Sequence, residues 1–327
     1  MSTDTLADLS TPTDLSAYGR QTIEAGSKSF ALASRVLAPA IRDDATLLYA
    51  YCRFADDLVD GQIMGHGQIE GYKAGQGARV DELRRMSARA LAGKRLGLPH
   101  YDSLASVVAR HDLPHAHIFE LIDGFQMDAD ARVYATLADT LDYAYHVAGV
   151  VGVMMAWIMG VRDAATLDRA SDLGLAFQLT NIARDVVDDA RAGRVFVPRE
   201  MLAAQGAPNE PSALARPEAW PAAHRAACEL LGVADTYYAS ARHGIAELSY
   251  RNGWAILTAL RVYRDIGTRL RKLGPKAWTG RVSTGKPRKI GQTMAAAFDA
   301  AGRHGITPVP RAPGLYARPR HATSVAP

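Results

Sequence analysis

Cysteine is scarce in this 327-residue chain, and its scarcity excludes two classes of protein. The two cysteines, Cys52 and Cys228, lie far apart in the sequence, and neither belongs to a CxxC or Cys/His spacing. A disulfide framework needs several cysteines, and a structural zinc site needs clustered Cys or His ligands. We therefore expect two reduced thiols in a cytoplasmic protein.

Three further patterns are missing from the chain. No segment alternates apolar and polar residues convincingly enough to predict a β-strand. Met1–Ser16 has no basic stretch followed by an apolar one, so we expect no signal peptide. The most apolar run, Val147–Val161, has the length of a core helix and is too short to span a membrane. These absences favour a helical protein that is soluble or peripherally attached to a membrane.

Positive charge is concentrated in one segment. The formal net charge is only +4, but Ile266–Phe298 carries eight basic residues and no acidic one. No recognised nucleic-acid-binding motif accompanies this charge, and the acidic clusters described below would repel a phosphate backbone. We therefore expect no nucleic-acid partner, and a diphosphate ligand or an anionic lipid surface instead.

Apolar residues recur at steps of three and four along most of the chain, which predicts an all-α bundle around a central cavity. The runs with this period are Leu32–Leu58, Val80–Leu91, Leu104–His111, Ile118–Met127, Leu141–Met159, Leu167–Val187, Ala222–Leu248 and Trp254–Leu273. Gly-rich residues 61–77 and Pro-rich residues 205–221 predict loops. We expect a flexible N-terminus over 1–17, one all-α domain over 18–300 and a basic, Pro-rich, disordered tail over 301–327.

Two acidic clusters carry the clearest chemical signal. Asp56 and Asp60, and likewise Asp185 and Asp189, are four residues apart inside apolar, helix-forming segments. Residues so spaced share a helix face, about 6 Å apart along the axis, so their carboxylates repel unless a cation compensates. Magnesium binds one or two protein carboxylates and completes its shell with water and phosphate oxygens. The spacing therefore predicts two facing helices that hold a diphosphate through Mg²⁺.

A plainer interpretation competes with the metal site. A single acidic pair on a helix is most often a solvated face that pairs with Lys or Arg, but two such pairs in apolar surroundings favour ion binding. Polar side chains upstream extend both clusters: Tyr49 and Arg53 precede the first, and Gln178 and Asn181 precede the second. Small residues such as Gly152 leave room either for a ligand or for close helix packing.

Four segments together resemble the squalene/phytoene synthase family of head-to-head prenyl synthases. They are GSKSF at 26–30, LLYAYCRFADDLVD at 47–60, YHVAGVVG at 145–152 and LGLAFQLTNIARDVVDDARAGRVFVP at 173–198. The resemblance spans residues 18–290 and implies an all-α isoprenoid synthase fold with a deep apolar cavity. It also implies that the four aspartates bind metal ions that bridge prenyl diphosphates.

The resemblance assigns further residues to the site. It implies that Asn181 joins the second metal site. The expected diphosphate-binding residues are Ser27, Lys28, Ser29, Phe30, Arg53, Asn181 and Arg281. The expected catalytic residues are Tyr49, Arg53, Gln178 and Tyr263, and further candidates are Tyr143 and Arg184. Asp57 and Asp188 point about 100° away from the neighbouring aspartates and stay outside the metal sites.

The reaction implied by the resemblance joins two geranylgeranyl diphosphates head to head, through prephytoene diphosphate, to phytoene and two diphosphates, the first committed step of carotenoid biosynthesis. Mg²⁺ or Mn²⁺ and basic residues would stabilise the leaving group, and apolar aromatic walls the allylic cation. No NADPH is expected, since no Gly-rich dinucleotide motif follows a strand. The alternatives are a C15-using synthase that makes squalene, dehydrosqualene or presqualene diphosphate, and an inactive helical scaffold or lipid-binding protein.

Location and partners are expectations of the same kind. Because substrate and product are long hydrocarbons, we expect a cytoplasmic protein held peripherally on the inner face of the membrane through its basic C-terminal third. We also expect upstream and downstream carotenoid enzymes as partners.

Overall fold

The computed structural model describes residues 14–61, 71–305 and 309–321, and every regular element in these ranges is helical. This confirms the predicted all-α class. The chain divides into two compact units: unit 1 ends at Ala129, and unit 2 begins at Asp130. The single domain expected over residues 18–300 stays a prediction.

Unit 1 is built around a long central helix, α3. Its helices are α1 (Leu15–Gly26), α2 (Lys28–Ser34), α3 (Pro39–Asp60), α4 (Gln76–Leu91), α5 (Pro99–His111) and α6 (His115–Ala129). Helix α3 packs against α1, α4 and α5. The run predicted as one helix over Leu32–Leu58 is divided, because Pro39 begins a new helix. Residues 62–70 of the loop predicted at 61–77 lie outside the described residues.

Unit 2 is organised by the 28-residue helix α9. Its helices are α7 (Leu137–Ala144), a π-helix (Tyr145–Gly149), α8 (Val150–Ile158), α9 (Ala164–Arg191), α10 (Arg199–Ala204), α11 (Pro211–Leu214), α12 (Trp220–His243), α13 (Tyr250–Leu273) and α14 (Lys286–Ala301). Helix α9 packs against α8, α12 and α13, and α14 packs against α13. The run predicted over Ala222–Leu248 ends earlier, since a 3₁₀ turn follows His243.

Helix α7, the π-helix and α8 form one continuous helical run, Leu137–Ile158. By length and composition this run could cross a membrane. However, 61% of its most apolar window is buried within the protein, as is typical of a core helix. We therefore assign it to the core of unit 2, in agreement with the sequence-based prediction for Val147–Val161.

Glycines bring α9 into backbone contact with the π-helix and with α8. A Cβ on Gly174 would lie 2.2 Å from the carbonyl oxygen of Ala148, and a Cβ on Gly152 would lie 2.3 Å from that of Ala170. Both neighbours are backbone atoms, so no side-chain rotation could relieve the overlap. Of the two alternatives for these small residues, close helix packing is therefore the correct one. The contact also sets the position of α9, which carries the second acidic pair.

Residues 309–321 correct the expectation of a disordered tail. This segment turns at residues 313–315 and is bonded to helices of unit 2: Arg311 donates to both carboxylate oxygens of the buried Asp172, at 2.9 and 2.6 Å. The Tyr316 hydroxyl donates to Asp142 at 2.9 Å. A Pro-rich, basic composition predicts disorder when no apolar surface is available to bury, but here aspartates on the helices hold the segment instead.

We predict that Gly174→Ala lowers the free energy of unfolding by about 1–3 kcal/mol, because the added methyl group overlaps a carbonyl of the neighbouring helix. Chemical denaturation measures the change. Gly232→Ala is the matched control: this helical glycine has no atom within 4 Å of its Cβ position, so alanine should stabilise the protein by up to about 1 kcal/mol. Equal effects of the two substitutions would contradict the packing described above.

Candidate active site

The first acidic pair lies at the C-terminal end of α3. The helix is unbroken through Asp60 and ends there because Gly61 adopts a left-handed conformation with φ 61°. Asp56 and Asp60 therefore share a helix face, as predicted. They add negative charge at the negative end of the helix dipole, and the last turn contains no basic residue. Such a position favours a bound cation.

Arg53 is the counter-ion that the structure places beside the first pair. Its Nη1 donates to Asp56 Oδ2 at 2.7 Å and lies 3.8 Å from Asp57 Oδ1. Burial alone would lower the pKa of the guanidinium, but the nearby Asp56 outweighs it and raises the pKa. The Arg53 side chain is 22% exposed and that of Asp56 41%, so the arginine lies inside and the carboxylate faces outward.

Tyr49 lies one turn before Arg53 and has its ring centroid 6.0 Å from the guanidinium carbon. Burial raises the pKa of its phenol, although the charge of Arg53 opposes the shift. Among the described residues, the Tyr49 hydroxyl and Arg53 Nε are buried without a well-oriented hydrogen bond. A Cβ on Gly26 would lie 2.5 Å from this hydroxyl, so glycine leaves the space that the phenol occupies. The Tyr49 hydroxyl and the Arg53 guanidinium are thus polar neighbours at the acidic end of α3.

The predicted diphosphate-binding segment begins α2, in the same unit. Ser27 caps the helix by accepting a hydrogen bond from the Phe30 amide at 3.3 Å. Lys28 is exposed, whereas Ser29 and Phe30 are half-buried. The Phe30 ring meets the Tyr49 ring edge-on, with centroids 6.3 Å apart. This contact joins α2 to the polar face of α3.

The second acidic pair lies on α9 in unit 2. Helix α9 is unbroken from Ala164 to Arg191, so Gln178, Asn181, Asp185 and Asp189 follow one stripe, as predicted. Asn181 Nδ2 donates to Gln178 Oε1 at 3.4 Å. Its Oδ1 is buried and has no hydrogen-bond partner among the described residues. An amide oxygen beside carboxylates is a ligand type that hard divalent cations prefer.

Arg184 holds Asp185 as Arg53 holds Asp56. Its Nε donates to Asp185 Oδ1 at 2.7 Å, and its Nη2 contacts Oδ2. Burial would lower the pKa of this guanidinium, but the hydrogen bond and charge of Asp185 raise it. The arginine is again more buried, at 12% exposure against 23% for its partner.

Asp188 and Trp278 complete the surroundings of this cluster. Asp188 is exposed and pairs with Arg191 at 3.1 Å, which agrees with its position to one side of the stripe. The Trp278 Nε1 donates to the carbonyl oxygen of Arg184 at 2.8 Å. Sequence reasoning missed Trp278, since no motif marks a residue that bonds to a backbone carbonyl. Its contact fixes the position of the helix beside Asp185.

Two of the aromatic clusters in unit 2 contain candidate catalytic tyrosines, and of these two the one with Tyr263 borders the polar stripe of α9. Tyr263 is 4.4 Å from Phe177, which immediately precedes Gln178. Tyr143 instead stacks on Phe196 at 4.8 Å and 14°, within a separate cluster. Arg281 is exposed in the segment that precedes α14. The structure thus groups Tyr263, but not Tyr143, with the aromatic residue beside the stripe.

Stacked rings brace the acidic end of α3. Phe54, which follows Arg53, stacks on His100 of α5 with ring centroids 3.4 Å apart and planes 14° apart. Tyr101 meets Phe54 edge-on at 5.4 Å. Burial lowers the pKa of His100 to about 4, so the imidazole is neutral at pH 7 and packs as an aromatic ring.

Both the sequence and the structure of this chain resemble known isoprenoid synthases. The family model for squalene/phytoene synthase matches residues 23–288. The chain is 48% identical to the 15-cis-phytoene synthase of Paracoccus sp. over 94% of this chain and 99% of the relative, and 44% identical to that of Pantoea ananas over 91% and 96%. A solved dehydrosqualene synthase in complex with ligand matches with a TM-score of 0.74 at 26% identity, over 86% of this chain and 95% of that one.

We predict that the stability of the protein falls between pH 6.5 and about pH 4 in part through His100. Its folded-state pKa of about 4 lies below the ordinary 6.5, so the unfolded chain takes up the proton first as the pH falls. His100→Phe keeps the stack without the titration, so this loss should be about 1–3 kcal/mol smaller in the variant. Denaturant unfolding across this pH range measures it, with the exposed His115→Phe as control. An unchanged pH dependence in His100→Phe would show that the imidazole does not contribute.

Proposed function

We propose that this chain, which belongs to the squalene/phytoene synthase family, is a 15-cis-phytoene synthase. It would condense two geranylgeranyl diphosphates head to head, through prephytoene diphosphate, and release phytoene and two diphosphates. The observation that carries the proposal is the near-full-length identity with relatives of that name. The family resemblance and the isoprenoid synthase fold expected from the sequence are confirmed, as is the expected class of enzyme, a prenyltransferase.

The family is in general divalent-metal-dependent, and we propose Mg²⁺ as the ion, with Mn²⁺ as a substitute. Each acidic pair supplies donors that fit a hard cation: Asp56 and Asp60 in unit 1, and in unit 2 Asp185, Asp189 and the buried Asn181 Oδ1, which no described residue satisfies. When bound, the ions would supply positive charge to the diphosphate oxygens as the allylic carbon–oxygen bond breaks.

Basic residues of the chain add to that charge. The Arg53 guanidinium is held charged by Asp56 and lies beside the first acidic pair, where it would attract a phosphate oxygen. Lys28 lies at the exposed start of α2, whose Phe30 contacts the Tyr49 ring. These groups would orient the diphosphate and stabilise it as a leaving group.

Aromatic residues serve the carbon end of the reaction. The faces of Tyr263 and Phe177 are attracted to a cation without attacking it, and the burial of Tyr263 helps to exclude water that would capture it. Tyr49 keeps its proton because burial raises its pKa, so it offers a neutral hydroxyl. Gln178 is oriented by the amide of Asn181. We assign these four side chains to the control of the allylic cation.

Substrate length separates this proposal from its main alternative. A solved dehydrosqualene synthase has the same fold, with a TM-score of 0.74, so a C15-using synthase is the second candidate. Purified protein with Mg²⁺ and geranylgeranyl diphosphate should yield phytoene whether or not NADPH is present, and chelation of the metal should stop the reaction. A C30 product from farnesyl diphosphate, with no turnover of the C20 substrate, would show that the alternative is correct.

We predict that Asp56→Asn and Asp185→Asn each lower kcat by about 100-fold or more, since each removes charge that holds the diphosphate. Asparagine is chosen because Arg184 is largely buried, and alanine at 185 would leave it without an acceptor. Unfolding free energies should change by about 1 kcal/mol or less.

Asp188→Asn is the matched control on α9, because this exposed carboxylate pairs with Arg191 at the surface. Its turnover should equal that of the unmodified enzyme. Normal turnover in Asp185→Asn, or an equal loss in the control, would refute the assignment of the metal-binding face.

A further inference from the structure

The outer face of α14 is apolar, although it is exposed. Ile290, Met294 and Phe298 are 59%, 60% and 78% exposed, and at steps of four residues they form one stripe along the helix. No charged residue lies between Lys289 and Asp299. A helix at the surface of a soluble protein normally carries polar side chains on its outer face. The stripe is therefore a candidate interaction surface.

The opposite face of α14 is firmly attached to unit 2. Ala296 and Ala300 are fully buried against Ile245 and Leu257. Asp299 accepts two hydrogen bonds from Arg261, at 3.0 and 2.5 Å. The stripe is thus presented by an anchored helix, and the exposure of its large side chains does not arise from a loosely packed end.

Charge identifies the kind of surface that the stripe fits. Lys286, Arg288 and Lys289 lie in the first turn of α14, and Arg281 precedes it. Arg288 pairs with the buried Asp265 at 2.7 Å, while Lys286 and Arg281 are exposed. An apolar stripe beside basic side chains is typical of a helix that lies in the plane of an anionic membrane surface.

Aromatic residues of α13 lie beside this helix. Trp254 donates its indole N–H to the carbonyl oxygen of Thr293 at 2.8 Å, and its ring is 6.0 Å from that of Tyr250, which is 40% exposed. Tryptophan and tyrosine are enriched where a protein meets the headgroup region of a bilayer.

We propose that α14 is a membrane-docking helix that inserts Ile290, Met294 and Phe298 into the headgroup boundary of an anionic bilayer. A second copy of the chain is the alternative occupant of this surface, and the experiment below distinguishes it from a bilayer. The proposal does not depend on the reaction that the enzyme catalyses, so vesicle binding and turnover test separate claims.

The test is co-sedimentation of the full-length protein with large vesicles of phosphatidylcholine alone or mixed equally with phosphatidylglycerol. We expect binding to the anionic vesicles that weakens as salt is raised. The triple variant Ile290→Ser/Met294→Ser/Phe298→Ser should lose at least about tenfold in vesicle affinity, and Lys286→Glu about fivefold. Turnover of detergent-dispersed substrate should not change in either variant.

Matched controls are Val133→Ser, which alters another half-exposed apolar side chain, and Lys94→Glu, which reverses another exposed charge. Both should bind as the unmodified protein does. Circular dichroism verifies that the triple variant is folded. Equal binding to neutral and anionic vesicles, or unchanged binding of the folded triple variant, would overturn the proposal. A dimer in solution that the triple variant loses, without vesicle binding, would overturn it in favour of a second copy.

Discussion

Carboxylates at the C-terminal ends of two helices are the constraint around which both units are arranged. Asp60 is the last residue of α3, and Asp189 lies two residues before the end of α9. The carboxylates interact unfavourably with the negative end of the helix dipole and repel each other. Together these effects cost about 0.3–1 kcal/mol per helix end. Packing elsewhere must offset this cost: the Phe54–His100 stack holds the end of α3, and the glycine contact at Gly174 holds α9.

An arginine on the same helix accompanies each acidic pair, three residues before Asp56 in unit 1 and next to Asp185 in unit 2. Arg53 bonds to Asp56, and Arg184 bonds to Asp185. In each case the arginine is the more buried partner. The guanidinium thus neutralises part of the carboxylate charge from within, and a bound cation would compete with it for the carboxylate oxygens. Two units of different sequence therefore position their carboxylates by the same electrostatic means.

Local spacing was enough to predict the helices and the stripes on α3 and α9, because both follow from the 3.6-residue period. It was not enough where contacts join distant residues. Arg311 and Asp172 are 139 positions apart, and their pairing orders a segment whose composition predicts disorder. Helix α14 was not predicted from the sequence, for another reason. Its large apolar residues recur at steps of four, but they face outward while small residues such as Ala296 form the inner face, so the spacing does not reveal which side is buried.

Burial distinguishes structural aspartates from candidate ligands where sequence does not. The Asp44, Asp172 and Asp265 side chains are at most 3% exposed, and each is reached by a more exposed arginine. Removing such an arginine would leave a buried charge unpaired, so these pairs serve the fold. The relative burial is reversed in the acidic clusters, where the arginine side chain is more buried than the aspartate side chain. A partly exposed carboxylate gains little from an ion pair, so this arrangement of the two side chains fits the proposed metal-binding role better than a role in stability.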